Sequence, residues 1–525
     1  MSEFGRSAAK RTALHRLHGD ERKRAVTCHR AFIRPESRDR LGTVPAGGSS
    51  PMSDVRPATA ARTAHRRRPP APVPGDRELS RLELLLRLRQ NPLTIWRQRH
   101  FREPIVAGEG IFGYGVVLSD PAAIRHVLVE NAANYRKDDL QRTILAPGLG
   151  EGLLTAEGEA WKRARRTLAP LFTPRAVAAL ACRMEGPAQA TARRMAGRRP
   201  GRVVDIAQDM TRVTFDILAE TMFSNAIAGG ADAFGKALTR YFETQGKIDP
   251  LDILGAPAWV PRLGRWMARP AISFFETQVA AIIAERQELR ARAPLADSAP
   301  DLLDALLAAR DPETGTGLSE AEIGANIITF IGAGHETTAN ALTWSLYLLS
   351  QAPETQEALE AEIDAAGDDL AAAALSGSGL ALTRAVIEEA MRLYPPVPSL
   401  SRTALADDAV GGRCFIPKGA LVVISPYLLH RHETLWREPD RFHPERFLPG
   451  ARETIERYAY LPFGAGPRVC IGQQFAMVEA MTVLATLVRT LRFEHAGEAP
   501  IPVHHVTLRP RHGMPMRVIS RRRPA

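Results

Sequence analysis

The segment Phe463-Gly-Ala-Gly-Pro-Arg-Val-Cys-Ile-Gly472 constrains this chain more than any other. It sets one thiol, Cys470, just ahead of a long apolar-periodic run from Gln473 to Leu491. The thiol therefore stands at the mouth of a helix, where unpaired N–H groups and the dipole favour an anionic sulfur. Gly464, Gly466 and Gly472 let the backbone come close to something flat and bulky, while Pro467 removes a donor and stiffens the loop. A thiolate offered this way is a good soft ligand for iron. The pattern F-x-x-G-x-R-x-C-x-G should arise by chance in a chain this long on the order of once in 10⁴ sequences. An inert buried thiol is the usual fate of a lone Cys, but such thiols rarely sit inside Gly-rich loops.

At these residues the chain resembles the cytochrome P450 family, the haem-thiolate monooxygenases. The resemblance implies a mainly α fold with small β-sheets, built as a single large haem-binding domain. It makes Cys470 the axial ligand of the haem iron, with Phe463, Gly464 and Gly472 holding the cofactor. The implied cofactor is haem b, with dioxygen as co-substrate.

Length allows one large domain or two or three ordinary ones. The four cysteines, Cys28, Cys182, Cys414 and Cys470, form no C-x-x-C pair. That argues against a zinc site or a dithiol motif and suggests a reducing compartment. The net charge of +11 is unevenly spread: residues 1–69 hold 16 Lys and Arg against 6 Asp and Glu. The basicity belongs to the tail, so no nucleic-acid binding is inferred for the body.

Residues 1–74 read as a disordered basic extension ending in a stiff Pro-rich linker, Pro69-Pro-Ala-Pro-Val-Pro74. The extension is an Arg-rich import leader, an arm for anionic surfaces, or a stretch foreign to the natural protein, with Met52 as the real start. The last reading is favoured, because Asp20, Glu21, Glu36 and Asp39 suit a mitochondrial leader poorly. No apolar run reaches transmembrane length. A soluble protein of the bacterial cytoplasm, acting as a monomer, is expected.

Residues 75–525 read as one domain. Expected helices are Glu159–Pro170, Val203–Phe223, Ala271–Ala291, Glu320–Ser350, Pro353–Ala366, Thr383–Leu393 and Gly472–Leu491. Alternating stretches at Glu103–Ser119 and Phe415–Ile424 suggest small sheets, and Gly367–Gly379 a loop.

The helix Glu320–Ser350 carries Gly332-Ala-Gly-His-Glu-Thr-Thr338 in its middle. Two glycines and two threonines there are poor helix formers, so something should compensate. Hydroxyls that open the helix would leave a groove beside a flat cofactor. Ala333 and Gly334 are small enough for close approach, and Glu336 and Thr337 offer a carboxyl and a hydroxyl for proton delivery. The segment resembles the P450 signature A-G-x-[DE]-T-T. That likeness assigns oxygen activation to Thr337 and proton delivery to Glu336, with Ala333 and Gly334 against the haem. His335 occupies a variable position and is expected to be a spectator.

Glu389 and Arg392 share one helix face at i,i+3. With Tyr394-Pro-Pro396 after them and Pro439-Asp-Arg-Phe-His-Pro-Glu-Arg-Phe447 downstream, they resemble the family's buried ionic triad, completed here by Arg446. Haem propionates call for cations. The W-x-x-x-R likeness puts Trp161 and Arg165 there, Arg468 fits a propionate fork, and Arg402 resembles a further contact.

No dinucleotide fingerprint is present. Electrons from NAD(P)H are expected through a ferredoxin or flavodoxin and its reductase, docking on bases such as Lys162 and Arg166. Family analogy places substrate contacts at Ile144, Leu145, Leu251, Ile253, Leu254, Trp259, Ile328, Phe330, Val397, Leu400 and Val506. These suit a lipophilic fatty acid, terpenoid or aromatic hydrocarbon, and Asp249–Pro261 reads as a lid. The leading function is insertion of one oxygen atom into a C–H bond or double bond. A peroxide-driven peroxygenase and a non-catalytic haem sensor are the alternatives, and neither needs the Glu336–Thr337 pair.

Overall fold

Helix Glu320–Ser350 explains the rest of the architecture, because it is apolar on every side and must be surrounded. Its start is fixed by Ser319, whose hydroxyl accepts from the Glu322 amide while the Glu322 carboxylate reaches back to the Ser319 N–H. Thereafter Ile323 to Leu349 are mostly buried. The computed structural model describes residues 68–521 except 112, 200, 224–232, 236, 238, 239, 242, 243, 245–250, 252–259, 261, 293–300, 378 and 413.

The helices that build the core and the site are α1 (Asp139–Leu149), α2 (Gly158–Leu168), α3 (Pro174–Ala196), α4 (Ile206–Phe223), α5 (Leu263–Arg292), α6 (Glu320–Ser350), α7 (Ala381–Leu393) and α8 (Gln473–Thr490). Helices α4, α7 and α8 pack around α6, and α3 packs on α8. The centre is fully buried Trp344, whose ring stacks on Tyr394 at 3.8 Å. No single helix among the described residues is long and apolar enough to cross a membrane.

The strands are β1 (Ile105–Gly110), β2 (Gly113–Leu118), β3 (Tyr135–Arg136), β4 (Val203–Asp205), β5 (Leu400–Ala404), β6 (Asp408–Val410), β7 (Cys414–Ile416), β8 (Leu421–Ile424), β9 (Leu491–His495), β10 (Pro502–His504), β11 (Leu508–Pro510) and β12 (Pro515–Ser520). The first expected β region joins the end of the second, β8, in one five-stranded sheet, ordered β1-β2-β8-β5-β3, whereas Phe415 and Ile416 lie in β7, paired with β6 in a separate two-stranded sheet. The β2/β8 pair is parallel, with Gly115 opposite Leu421.

Several expectations are corrected. Val203–Asp205 is strand β4, paired with β12, so the helix begins only at Ile206. Gly367–Gly379 is not all loop: Leu370–Ser376 is helical, capped by Asp369 and ended by left-handed Gly377. Its alanines are good helix formers. Helix α3 went unread because three of its eight buried residues are alanines and Pro187 interrupts the pattern. The Pro-rich stretch touches the body, where the buried Tyr394 hydroxyl donates to the Pro70 carbonyl at 2.9 Å. Residues 1–67 and most of Asp249–Pro261, including Ile253, Leu254 and Trp259, lie outside the described residues.

Candidate active site

The Cys470 loop is held by its own backbone and by one carbonyl. The Cys470 amide donates to the Phe463 carbonyl at 3.0 Å. Gly464 and Gly466 both have φ of 72°. A Cβ at Gly466 would lie 1.8 Å from the Leu128 carbonyl oxygen, so Gly466 is required by contact with protein. Gly472 differs, because a Cβ there meets nothing within 4 Å. Cys470 is exposed by area, yet burial pushes its thiol up while the Gly472 amide and the Arg165 charge pull it down. A side chain lining an internal cleft has both properties.

Helix α6 is open at one place. Ala333 is exposed although the residues on either side along the helix are mostly buried, and Thr337 is partly exposed one turn later. The helix runs on through this stretch. Hydroxyls compete for its carbonyls: Thr337 Oγ1 donates to the Ala333 carbonyl at 2.7 Å and Thr214 Oγ1 to the His335 carbonyl at 3.0 Å, bonds of the kind that bend a helix. Gly334 has a reason to be small within the protein itself. A Cβ there would press on Leu218 of α4 at 3.3 Å. His335 is buried edge-on to Phe215, with Nδ1 beside the Ile331 carbonyl, and so faces α4 too. Glu336 accepts from the Thr507 hydroxyl at 2.8 Å, and its second oxygen is buried without a partner. Burial raises its pKa, opposed by the Thr507 bond and the Arg509 charge.

Cations gather around Trp161. The Arg468 guanidinium lies 4.0 Å from the centre of the Trp161 ring. It also pairs with Glu157 at 2.7 Å and donates to the Ala156 carbonyl at 2.9 Å, so much of its fork is already engaged. Burial, and repulsion from Arg402, lower Arg468 to about 10 despite Glu157. Arg402 is buried, donating to the Ser401 carbonyl at 2.8 Å. Lys137 donates to the Leu154 carbonyl, and burial with the nearby Arg468 and Arg402 charges pulls it down to about 7. Arg165 has no carboxylate partner among the described residues.

Sequence reasoning missed Lys137 and Glu157. Tyr135-Arg-Lys-Asp-Asp139 looks like a solvated charged stretch, and nothing in its pattern says that the lysine turns inward. It also missed Glu479 of α8, a fully buried carboxyl that burial raises well above its usual range beside Thr338.

The scaffold triad stands together. Arg392 Nε and a terminal nitrogen meet the Glu389 carboxylate at 2.7 and 2.8 Å, both side chains fully buried. Arg446 approaches the same carboxylate at 3.6 Å. Arg392 also donates to the carbonyls of His430, Pro439 and Arg441, which ties α7 to the approach of the Cys470 loop.

The two bases suggested for a redox partner also have partners within the chain. Arg166 makes a two-pronged bond to fully buried Asp311 at 3.1 Å, and Lys162 pairs with Glu159 at 2.6 Å.

The family description "Cytochrome P450" matches residues 85–515. The chain belongs to the cytochrome P450 family. It is 33% identical over 402 residues to cyclooctatin synthase of Streptomyces melanosporofaciens, covering 76% of this chain and 84% of that one. It is 33% identical over 354 residues to cyclooctat-9-en-7-ol 5-monooxygenase of the same organism, covering 67% and 74%. The crystal structure of the cytochrome P450DA heme domain superposes with a TM-score of 0.74 at 27% identity, covering 87% of this chain and 99% of that one.

This cytochrome P450 is a monooxygenase, and its family works with haem iron and dioxygen. The residues present fit a haem. Cys470 offers a reachable sulfur, Gly472 leaves clear space, and α6 presents a bare face at Ala333. The cluster of Lys137, Arg165, Arg402 and Arg468 outnumbers its carboxylates Glu157 and Asp138, which suits a dianionic edge.

Proposed function

We propose that this cytochrome P450 hydroxylates or epoxidises a lipophilic terpenoid-sized molecule, with NAD(P)H electrons relayed by a separate ferredoxin or flavodoxin and its reductase. The observation that carries this reading is the open face of α6 at Ala333 and Thr337. Leu400 comes to the Cys470 loop, lying 3.8 Å from where a Gly464 Cβ would stand. Ile144, Leu145, Ile328 and Val506 add apolar surface to the implied substrate regions. Phe330 contributes less than expected, because it packs edge-on against Phe172 at 5.3 Å. Likeness to the protein named for cyclooctat-9-en-7-ol favours a terpenoid over a fatty acid or an aromatic hydrocarbon.

In this reading Cys470 holds the iron, and Trp161, Arg165, Arg402 and Arg468 hold the propionates, with Lys137 added to them. The haem, when bound, supplies the oxygen-activating chemistry. Thr337 presents a hydroxyl on the open face, and Glu336 holds its proton to higher pH than an ordinary carboxyl, which suits a proton donor. We place residues 75–525 as the haem domain and the protein in the bacterial cytoplasm.

The test is a spectral-shift titration of the ferric, haem-loaded protein against a lipophilic library. Terpenoid alkenes and alcohols are expected to displace the water on iron. A response confined to charged or strongly polar compounds would overturn the substrate class.

A further inference from the structure

The hairpin β10–β11 reaches α6 through one side chain. Thr507 is buried, and its hydroxyl sits between two groups of α6. Asn340 Nδ2 donates to Thr507 Oγ1 at 3.3 Å, and Thr507 Oγ1 donates to Glu336 Oε1 at 2.8 Å. A hydroxyl has one proton to give. With the Asn340 amide occupying its acceptor side, that proton points at Glu336.

The hairpin that presents Thr507 is anchored at both ends. The Leu508 amide donates to the Pro396 carbonyl at 3.0 Å. At the other end Asn91 brackets β10, donating to the Pro502 carbonyl at 3.0 Å and accepting from the His504 amide at 3.1 Å. The hydroxyl is therefore delivered to Glu336 by a braced element rather than a swinging loop. Glu336 meanwhile keeps one oxygen, Oε2, buried and without a hydrogen-bond partner. Such an oxygen is costly unless it has a task.

We propose that Thr507 is a positioning residue for Glu336: it fixes Oε1 as the accepting oxygen and leaves Oε2 to exchange the proton. The inference rests on Glu336 being the proton donor, and it extends control of that donor to a hairpin far along the chain. Thr507 is next to Val506, an implied substrate contact, so the residue that orients the acid is covalently joined to one that meets the substrate.

The experiment is infrared spectroscopy of the ferric, haem-loaded protein labelled with carbon-13 glutamate. The Glu336 carboxyl band is assigned by its loss in Glu336→Gln. Thr507→Val should shift that band, and Thr507→Ser should restore it, because serine keeps the hydroxyl. Loss of this one hydrogen bond should also slow turnover of any substrate found by the titration about tenfold at unchanged KM. An unmoved band in Thr507→Val overturns the positioning role whatever the activity. If Thr507→Val does not fold, Thr507→Ala is read in the same way. An unchanged rate in Glu336→Gln would instead overturn the proton-donor reading and leave the infrared result standing.

Discussion

Arg468, two residues before Cys470 in the chain, lies over Trp161, its guanidinium carbon 4.0 Å from the ring centre. The indole thereby links α2 to the Cys470 loop and limits how the cation can turn. A cation over an indole is worth about 0.5–2 kcal/mol. Trp161→Ala should therefore speed haem loss roughly tenfold at neutral pH, with Trp161→Phe intermediate. Transfer of haem to apomyoglobin measures it, and an unchanged rate would show that the stack is incidental.

Glu389 is fully buried between two arginines, and Arg392 has no water to turn to if the carboxylate is removed. Breaking such a pair costs about 3–5 kcal/mol. Glu389→Ala should yield haem-free or unfolded protein. Normal haem content with an unchanged denaturation midpoint would refute the scaffold role.

Gly466 leaves no room for a methyl group, since the Leu128 carbonyl occupies its place, and its φ of 72° is costly for any residue with a Cβ. Gly466→Ala should push the loop off Leu128 and displace Cys470. The carbon monoxide complex of the reduced protein should then lose most of its thiolate-type band. A full band would mean the loop yields elsewhere.

His430 is buried and accepts the Leu461 amide at Nε2, 2.8 Å away. Burial lowers its pKa to about 3. The unfolded chain takes up this proton near pH 6.5, whereas the folded one refuses it until about pH 3. Below pH 6.5 the unfolded state binds more protons, so this contribution to stability is lost as pH falls through that window. The slope is about 1.4 kcal/mol per pH unit. Urea denaturation of His430→Gln between pH 6.5 and 4.5 should show a slope shallower than wild type by that amount. Equal slopes would place the imidazole in contact with water.

The Cys470 loop, the α6 signature and the Glu389–Arg392 pair were legible because each packs several chemically demanding residues into a short span. The long core helices were legible because their burial repeats at the helical period. What escaped was carried by residues whose role depends on a distant partner. Lys137 gains meaning only beside Arg468 and Arg402, and the pairing of Arg166 with Asp311 joins residues far apart in the sequence. The packing of Leu218 against Gly334 likewise cannot be seen from the signature alone. Thr507, an ordinary threonine in a short hairpin, carries no local signal at all.

The parallel pairing of Gly115 with Leu421 has a consequence for synthesis. Strand β2 leaves the ribosome about 300 residues before its partner β8, and at roughly 5–20 residues per second it waits on the order of 15–60 s. Through that interval Val116 and Leu118, fully buried in the finished protein, have no sheet to join beyond β1. An unpaired apolar strand edge invites pairing with other chains. The yield of this protein in a cell should therefore depend on how fast translation reaches residue 424 and on chaperones that shield the early hairpin.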